Sequence, residues 1–271
     1  MKMVHLISTI NRGNCEFIRK MNLKKDAVIV NQNVSKNREI IEGEDKEIIF
    51  ISTPEMGLSN SRNMLLEQVE SGIGILGDDD LVYLDGYEKI IEDAHLKYQD
   101  ADIIVFRFTE DLNRNTRQQF QEERSLGIMQ ISKVASVEVT FKIDRIKEKG
   151  LRFDPLLGLG AEFGSGEENA FLADALRSGL VIQYIPKTIC YTEPMSEERV
   201  KWKNGFNEEY FVKKGACFYR IYKNLFLPLS VGFIVTKKLG LFKNVPLFKA
   251  IKWMVNGKKR YICKKEENYV C

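Results

Sequence analysis

Short runs of Val and Ile alternate with helical patterns through the first 110 residues, and this alternation limits the possible folds more than any other feature. Such alternation is typical of repeated βα units, in which helices cover both faces of a largely parallel sheet. The runs lack a strict polar–apolar alternation, which agrees with strands that are buried on both faces. The sequence predicts strands at residues 4–9, 27–31, 47–52, 72–76 and 102–108, and helices at 14–22, 59–69 and 86–98.

The pattern changes after residue 110. Residues 110–126 are polar and charged, which predicts an exposed connection or a strand pair. The later elements are predicted as a half-buried strand at 134–143, a glycine-rich loop at 157–166, a helix at 170–178 that Gly179 ends, and a strand at 181–185. We therefore expect an α/β domain over residues 1–198, followed by a helical segment over residues 199–271.

Three carboxylates in a row, Asp78, Asp79 and Asp80, follow the predicted strand at residues 72–76. Adjacent like charges repel, so a fold usually places a cation beside them, and hard oxygen ligands suit Mg²⁺ or Mn²⁺. Open α/β sheets also bind their ligands at the carboxyl ends of strands. The alternative is a solvated acidic turn before the next helix, because Asp is favoured in turns and at helix N-caps.

Further polar residues follow the neighbouring strands and are expected to face the same crevice. Amides and hydroxyls suit a nucleobase and a ribose, whereas Arg62 suits a phosphate. Each signal is weak alone, because turns favour Asn, Ser59 could be an N-cap and Arg62 could be a surface cation. The residues are Thr9, Asn11 and Arg12 after the first strand, Asn31 and Gln32 after the second, and Ser59, Arg62 and Asn63 at the start of the helix before the Asp run.

Cysteine and histidine content excludes several other kinds of site. The five Cys residues are scattered without a Cys-x-x-Cys pair, which argues against a disulfide framework or a zinc site and for a reducing compartment. Two His residues are too few for a histidine-rich metal site. The opening Met-Lys-Met-Val-His-Leu predicts a strand rather than a signal peptide, so we expect a cytoplasmic protein.

Charge is divided unevenly along the chain. Residues 201–271 contain 16 Lys and Arg against 4 Asp and Glu, whereas residues 1–200 contain 25 against 34. The tail interleaves Lys with Leu and aromatic residues, and its uncharged run at 225–236 is too short to span a bilayer. This pattern favours peripheral contact with the inner face of the cell membrane. The alternatives are a helical appendage folded onto the core, and nucleic-acid binding, for which no motif is present.

Five motifs together resemble family-2 glycosyltransferases of the GT-A fold, of the bacterial type that builds surface polysaccharides. They are Ser-Thr-x-Asn-Arg (8–12), Gly-Leu-Ser-Asn-Ser-Arg-Asn (57–63), Gly-Ile-Leu-Gly-Asp-Asp-Asp (74–80), Phe-Asp-Pro-x-x-Gly-Leu-Gly-Ala (153–161) and Gly-Glu-Glu-Asn-x-Phe-Leu (166–172). The resemblance covers about residues 3–195. It implies a mostly parallel, Rossmann-like sheet flanked by helices, with a nucleotide-sugar half at about 1–110 and an acceptor half at about 111–198.

The resemblance also implies a reaction. The expected activity is hexosyl transfer with inversion, from a nucleotide-diphospho-sugar (UDP-sugar by default) to a glycan or lipid-linked acceptor in polysaccharide synthesis. Asp79 and Asp80 match the last two carboxylates of the family's acidic motif, and its usual first Asp falls on Gly77 unless Asp78 replaces it. Mn²⁺ or Mg²⁺ is the implied cofactor, with Asp80 as the preferred ligand, Asp79 as a ribose or metal contact and Asp78 as a further candidate.

Glu167 and Glu168 match the family's Glu-Asp pair, whose second member is the general base. The resemblance therefore implies Glu168 as the base, with Glu167 in reserve. The alternative for both residues is a pair of first-turn acids that favour the helix dipole. Relatives often carry a His after the last strand, but residues 185–193 contain none, so either Thr192 or Glu193 substitutes or the metal has fewer protein ligands.

Two other functions stay open. A nucleotidyltransferase would share the sheet and the metal carboxylates, but no glycine-rich loop with Arg or Lys follows the first strand. A non-catalytic GT-A-like domain that binds nucleotide or glycan would agree with the missing His.

Overall fold

The Val and Ile runs found in the sequence form adjacent strands of one ten-stranded sheet. The computed structural model describes residues 1–42, 46–111, 120–192, 206–238 and 245–267. The strands are β1 (Met3–Ile10), β2 (Asp26–Gln32), β3 (Asn37–Glu42), β4 (Glu47–Thr53), β5 (Ile73–Asp78), β6 (Leu81–Tyr83), β7 (Ile103–Thr109), β8 (Arg124–Ser125), β9 (Val139–Lys142) and β10 (Ile182–Thr192). The helices are α1 (Leu58–Glu67), α2 (Tyr87–Lys97), α3 (Ile143–Glu148), α4 (Glu167–Arg177), α5 (Glu208–Tyr222), α6 (Phe226–Lys238) and α7 (Leu247–Glu267).

The sheet contains two parallel blocks. Its strand order is β3-β4-β2-β1-β5-β9-β7-β10-β6, and β8 pairs with β10 outside this path. Strands β4, β2, β1 and β5 are parallel, as are β7 and β10, and antiparallel β9 joins the two blocks. Strands β3 and β6 run antiparallel at the two edges. Six of the ten strands therefore run in one direction, which confirms the predicted α/β fold with a mostly parallel sheet.

Alternate residues of the central strands face two separate hydrophobic clusters. In β1, Val4 and Leu6 belong to the cluster that includes α1 and α4, whereas Met3 and Ile7 belong to the cluster that includes α2. Successive strand residues point to opposite faces, so a strand that is covered on both sides must be apolar at almost every position. This arrangement explains the continuous Val and Ile runs in the sequence.

Local structure departs from the sequence predictions in three places. Residues 14–22 form only a short 3-10 helix, Glu16–Lys20, and Asn22 follows with a left-handed backbone (φ 57°) that ends it. The strand predicted at 134–143 begins only at Val139, because a 3-10 turn precedes it in which the buried Glu138 accepts a hydrogen bond from the Ala135 amide. Edge strands β3 and β6 were not predicted.

Helices α5 and α7 pack against each other at two glycines. A Cβ atom on Gly257 of α7 would lie 1.9 Å from the Val212 carbonyl oxygen, and one on Gly215 of α5 would lie 2.1 Å from the Met254 carbonyl oxygen. The two helix backbones therefore approach more closely than any larger residue would permit.

A buried ionic network anchors this helix pair to the rest of the chain. Arg220 of α5 donates to Asp154 at 2.7 Å and to Asp174 of α4 at 2.9 Å, and Tyr261 of α7 donates to Asp154 at 2.5 Å. None of the described helices has the length and apolar character needed to cross a bilayer. The predicted domain boundary at 198/199 lies outside the described residues, so this division stays a prediction.

Candidate active site

The polar residues predicted from the sequence meet at the carboxyl ends of β2, β1 and β5. These three strands lie side by side and run parallel. Their register places Thr9 opposite Asn31, and Ser8 opposite Asp78. The carboxyl edge of a parallel sheet is the usual ligand site in such folds.

Asp79 holds the loop that follows β1. Its Oδ2 atom accepts hydrogen bonds from Thr9 Oγ1 at 2.5 Å and from Arg12 Nε at 2.8 Å, and it lies 2.6 Å from Arg12 Nη2. Asn31 fixes the backbone of Arg12, because its Nδ2 donates to the Arg12 carbonyl at 2.7 Å and its Oδ1 accepts from the Arg12 amide at 3.0 Å. Thr9, Arg12, Asn31 and Asp79 therefore form one network.

Two asparagines shape the adjoining turns. Asn11 and Asn33 adopt left-handed backbones (φ 56° and 59°), which Asn tolerates better than most residues. Asn33 Nδ2 donates to Asn11 Oδ1 at 2.8 Å, and the Asn11 amide donates to the Gln32 carbonyl at 3.0 Å. The Gln32 side chain is buried and donates to the Thr9 carbonyl at 3.4 Å. Asn11 is exposed at this edge of the sheet, whereas the Gln32 side chain is buried beneath the turn and stabilises it.

Arg62 is buried between the Asp run and the Glu pair. Its side chain is only 2% exposed, with Nη1 at 2.9 Å from Glu167 Oε1 and Nη2 at 3.5 Å from Asp78 Oδ1. The guanidinium also lies over the Phe153 ring, 5.5 Å from its centroid. The interpretation of Arg62 as a surface cation is therefore wrong. It links two carboxylate groups that are far apart in the sequence.

Ser59 and Asn63 hold the segment that begins the glycine-rich loop. Ser59 Oγ donates to the Leu157 carbonyl at 2.7 Å. Asn63 forms two bonds with the Phe153 backbone, one to its carbonyl at 2.9 Å and one from its amide at 2.8 Å. The N-cap of α1 is Gly57, so the N-cap alternative for Ser59 is excluded. In this structure both side chains are committed to the loop.

Glu167 and Glu168 begin α4 directly after the glycine-rich loop. Glu167 is buried, and a Cβ atom on Gly158 (φ 98°) would lie 3.3 Å from its carboxyl group, so the loop wraps closely around it. Glu168 is half-buried. Burial and the neighbouring charge of Glu167 raise the pKa of Glu168 to about 8, although Arg62 opposes the shift. A carboxylate with a pKa near the working pH is suited to accept a proton in a reaction.

Asp78 and Asp80 present the remaining carboxylates of the Asp run. The side chain of Asp78 is 39% exposed, and Asp80 is exposed in the turn between β5 and β6. Partial desolvation of this carboxyl group raises the pKa of Asp78, the Arg62 guanidinium opposes the shift, and the charge of Asp80 adds to it. Among the described residues, no group of three or more His, Cys, Asp or Glu side chains is arranged to hold a metal ion.

Gly77 is the position at which the resemblance to glycosyltransferases placed the first Asp of their acidic motif. A Cβ atom there would lie 3.0 Å from the Tyr83 hydroxyl oxygen and 3.4 Å from Cγ1 of Ile7, so a larger side chain would require Tyr83 to shift. Thr192, one of the two candidates to replace the missing His, lies opposite Leu81, the residue after the Asp run. The other candidate, Glu193, lies outside the described residues.

Solved structures of TarS from S. aureus share this fold. TarS 1–349 in complex with UDP-GlcNAc aligns with a TM-score of 0.65 and 14% identity, over 97% of this chain and 81% of that chain. The complex with UDP aligns with a TM-score of 0.60 and 15% identity, over 93% and 78%. A further TarS structure aligns with a TM-score of 0.59 and 14% identity, over 90% of this chain and 45% of that chain.

Comparisons of sequence alone find nothing similar: no protein-family model and no curated protein matches the chain. The relationship to TarS is therefore seen in the structure and not in the sequence. The chain has the GT-A-like α/β fold of TarS, with a central sheet flanked by helices.

Proposed function

We propose that the chain is a family-2-type glycosyltransferase that transfers a sugar from a nucleotide-diphospho-sugar, with a UDP-sugar as the expected donor. One observation carries the proposal: Arg62 contacts both Asp78 of the Asp run and Glu167 of the Glu pair. The carboxylates proposed to bind the sugar donor and those proposed to include the general base thus lie on either side of one buried cation. TarS structures with bound UDP-GlcNAc and UDP support the choice of donor.

The donor nucleotide is proposed to bind at the carboxyl ends of β1 and β2. Arg12 is partly exposed there and is oriented by Asp79 and Asn31, so its remaining donor groups can meet an anionic or carbonyl oxygen. Asn11 supplies an exposed amide. We assign Thr9 and Gln32 to support of this surface, because both side chains are buried.

The Asp run is proposed to hold Mn²⁺ or Mg²⁺ together with the donor. Asp78 and Asp80 supply the hard oxygen atoms that these ions prefer, and a cation would relieve the repulsion within the run. Asp79 Oδ2 is committed to Thr9 and Arg12, so Asp79 is assigned to donor positioning first. Two carboxylates require the donor phosphates to complete the coordination. A bound ion would act as a Lewis acid that stabilises the leaving nucleoside diphosphate.

Glu168 is proposed as the general base. It removes the proton from an acceptor hydroxyl as the hydroxyl oxygen attacks the anomeric carbon from the face opposite the nucleoside diphosphate. One C–O bond forms as the bond to the leaving phosphate breaks, so the configuration inverts and the protonated Glu168 later returns its proton to water. Glu167 is held by Arg62 and is assigned to positioning the first turn of α4.

The acceptor is proposed to be a glycan or a lipid-linked glycan of a bacterial surface polysaccharide. The motifs of the sequence and the basic character of residues 201–271 support this class. A lipid-linked acceptor would require the protein to work at a membrane surface, as a peripheral protein.

A thermal-shift panel of nucleotide-sugars, with and without Mn²⁺, tests the function. One donor is expected to raise the melting temperature only when Mn²⁺ is present, and Asp80→Ala should abolish the shift. A ligand at about 100 times its Kd stabilises a protein by about 2.7 kcal/mol, which such an assay detects readily. Asp100→Ala, an exposed Asp away from the site, is the matched control and should keep the shift.

Product analysis separates the other functions. Release of nucleoside diphosphate with a glycosylated acceptor supports the proposal, whereas release of pyrophosphate would identify a nucleotidyltransferase. Mn²⁺-dependent binding with neither donor hydrolysis nor transfer would identify a non-catalytic domain.

A further inference from the structure

Helix α6 presents an apolar face to solvent. It contains the uncharged run of the tail, and its inner side packs through Phe226 and Ile234 against α7. On its outer side, Leu227 and Val235 are 53% and 50% exposed. They are eight residues apart, which places them on the same side of a helix. The exposed apolar residues of this surface, called the α6 face below, are Leu225, Leu227, Pro228 and Val235. Phe248 at the start of α7 is exposed as well.

The chain segment that contains the α6 face is rich in cations and contains no acids. Residues 210–265 contain 14 Lys and Arg and not one Asp or Glu. Exposed lysines lie at the ends of both helices: Lys223 before α6, Lys237 in its last turn, and Lys249 and Lys252 in the first turns of α7. An exposed apolar face within a purely cationic segment fits a partner that is both apolar and anionic.

We propose that the α6 face is the docking surface of this protein for an anionic lipid bilayer. Apolar side chains would enter the boundary between headgroups and acyl chains, while the lysines meet the negative surface potential of the lipid. Helices α5 and α7 pack against the catalytic domain, as the alternative of a helical appendage folded onto the core predicted. The proposed membrane contact therefore involves α6 and the start of α7.

Docking at α6 would also orient the proposed site. Arg260 of α7 binds Glu162 of the glycine-rich loop at 2.6 Å, and Cys217 of α5 donates to the Ser165 carbonyl at 2.8 Å. The loop leads directly into Glu168. Helices α5 and α7, which share an apolar cluster with α6, are therefore bonded to the loop that precedes the proposed base. This role at a lipid-linked acceptor rests on the proposed function, whereas the binding to lipid does not.

Vesicle co-sedimentation of the full chain tests the surface. The wild-type protein is expected to bind phosphatidylcholine vesicles that contain about 40% phosphatidylglycerol, to bind them more weakly at high salt, and not to bind phosphatidylcholine alone. The double variant Leu227→Glu/Val235→Glu should lose at least about tenfold in partition coefficient, because burial of each side chain is replaced by an anion. Leu96→Glu, at an exposed Leu (54%) of α2, is the matched control and should bind as the wild type does.

A second variant tests the charge. Lys249→Glu/Lys252→Glu should weaken binding to anionic vesicles by at least about tenfold, since each Lys near such a surface contributes about 1 kcal/mol. Equal binding by the wild type and the Leu227→Glu/Val235→Glu variant, or no binding of the wild type to anionic vesicles, would overturn the proposal. A dimer in solution that this variant disrupts would identify a second copy of the chain as the partner, and would overturn it as well.

The same variants keep the two proposals separate. The Leu227→Glu/Val235→Glu protein should retain the donor-dependent thermal shift, because the substituted side chains lie on exposed positions of α6. Lipid binding without any donor-dependent shift would leave the docking surface valid and would remove the proposed function. A donor-dependent shift without lipid binding would do the reverse.

Discussion

Arg62 Nη1 lies 2.9 Å from Glu167 Oε1, although the two residues are 105 positions apart in the sequence. Both side chains are buried, at 2% and 7% exposure. A buried ion pair stabilises little relative to an apolar pair, but the loss of one partner leaves an uncompensated charge in the interior. Loss of either residue should therefore lower the stability of the fold and also disturb the geometry of the proposed site.

Arg62→Met should destabilise the fold by about 3–5 kcal/mol, because Glu167 would remain buried without its partner. Denaturant unfolding measures this loss, and Glu167→Gln in the same chain should restore part of it. The control is Arg152→Met, which removes an exposed pair with Glu67 and should cost at most about 1 kcal/mol. Equal losses in the two single variants would contradict the buried role of Arg62.

Glu168→Gln should remove a pH dependence of stability. The folded pKa of Glu168 is about 8, above its ordinary value of 4.5, so the folded chain holds this proton more tightly than the unfolded chain does. The associated stabilisation is full below pH 4.5 and is lost as the pH rises towards 8. Melting temperatures from pH 5 to 8.5 should fall less steeply for Glu168→Gln than for the wild type, while Glu266→Gln, an exposed control, should follow the wild type.

The same substitution should abolish transfer and spare donor binding. Loss of a general base lowers kcat by about 10²–10⁴-fold, and Gln cannot take the proton. Glu168→Asp should keep part of the activity, because the carboxylate is retained with one methylene less. Steady-state kinetics and the donor-dependent thermal shift, measured together, separate the two effects. Full activity of Glu168→Gln would exclude this residue as the base.

Asp79→Asn should weaken donor binding. The substitution removes the charge that orients Arg12, and a hydrogen bond to a charged group contributes about 1.5–3 kcal/mol, so the donor Kd should rise by about tenfold or more. Calorimetric titration with the donor measures the change. Asp144→Asn, at an exposed Asp of α3, should leave the Kd unchanged.

Gly257→Ala should separate α5 from α7. The new methyl group would meet the Val212 carbonyl oxygen at 1.9 Å, so one helix backbone must move. The melting temperature should fall by several degrees, and the helix pair should become sensitive to limited proteolysis. Gly232→Ala in α6 has no atom within 4 Å of its new methyl group and should instead stabilise the chain by about 0.5–1 kcal/mol. A loss of stability in both variants would show that helix packing is not the cause.

The hydrophobic pattern of the sequence predicted the parallel strands, and with them the carboxyl edge at which Thr9, Asn31 and Asp79 meet. It could do so because strands buried on both faces appear in a sequence as continuous apolar runs. It did not predict edge strand β3, in which four of the six residues (Asn-Arg-Glu-Ile-Ile-Glu) are polar, as edge strands commonly are. Motif matching implied Glu168 as the base with Glu167 in reserve, and these roles stay a prediction. The helix was predicted to begin at residue 170, whereas α4 begins at Glu167 and includes both residues in its first turn.

The pairing of Arg62 with Glu167 depends on packing between distant segments, and no local pattern encodes such a contact. Gly158 gave a weak signal, since a glycine-rich loop indicates close backbone approach without naming the partner. Asp154 of the Phe-Asp-Pro motif was a second weak signal. Its partners Arg220 and Tyr261 could be identified only from the packing of α5 and α7 in the structure.

Strand β9 also constrains the order in which the chain can fold during synthesis. Residues 139–142 pair with β5 on one side and β7 on the other, so the central sheet keeps a gap until they have left the ribosome. The first 110 residues, which carry the proposed nucleotide side of the site, would leave one edge of β5 and both edges of β7 unpaired in the meantime. Nascent chains that expose β5 without β9 should therefore aggregate or recruit chaperones, whereas chains long enough for β9 and β10 to have left the ribosome should resist protease.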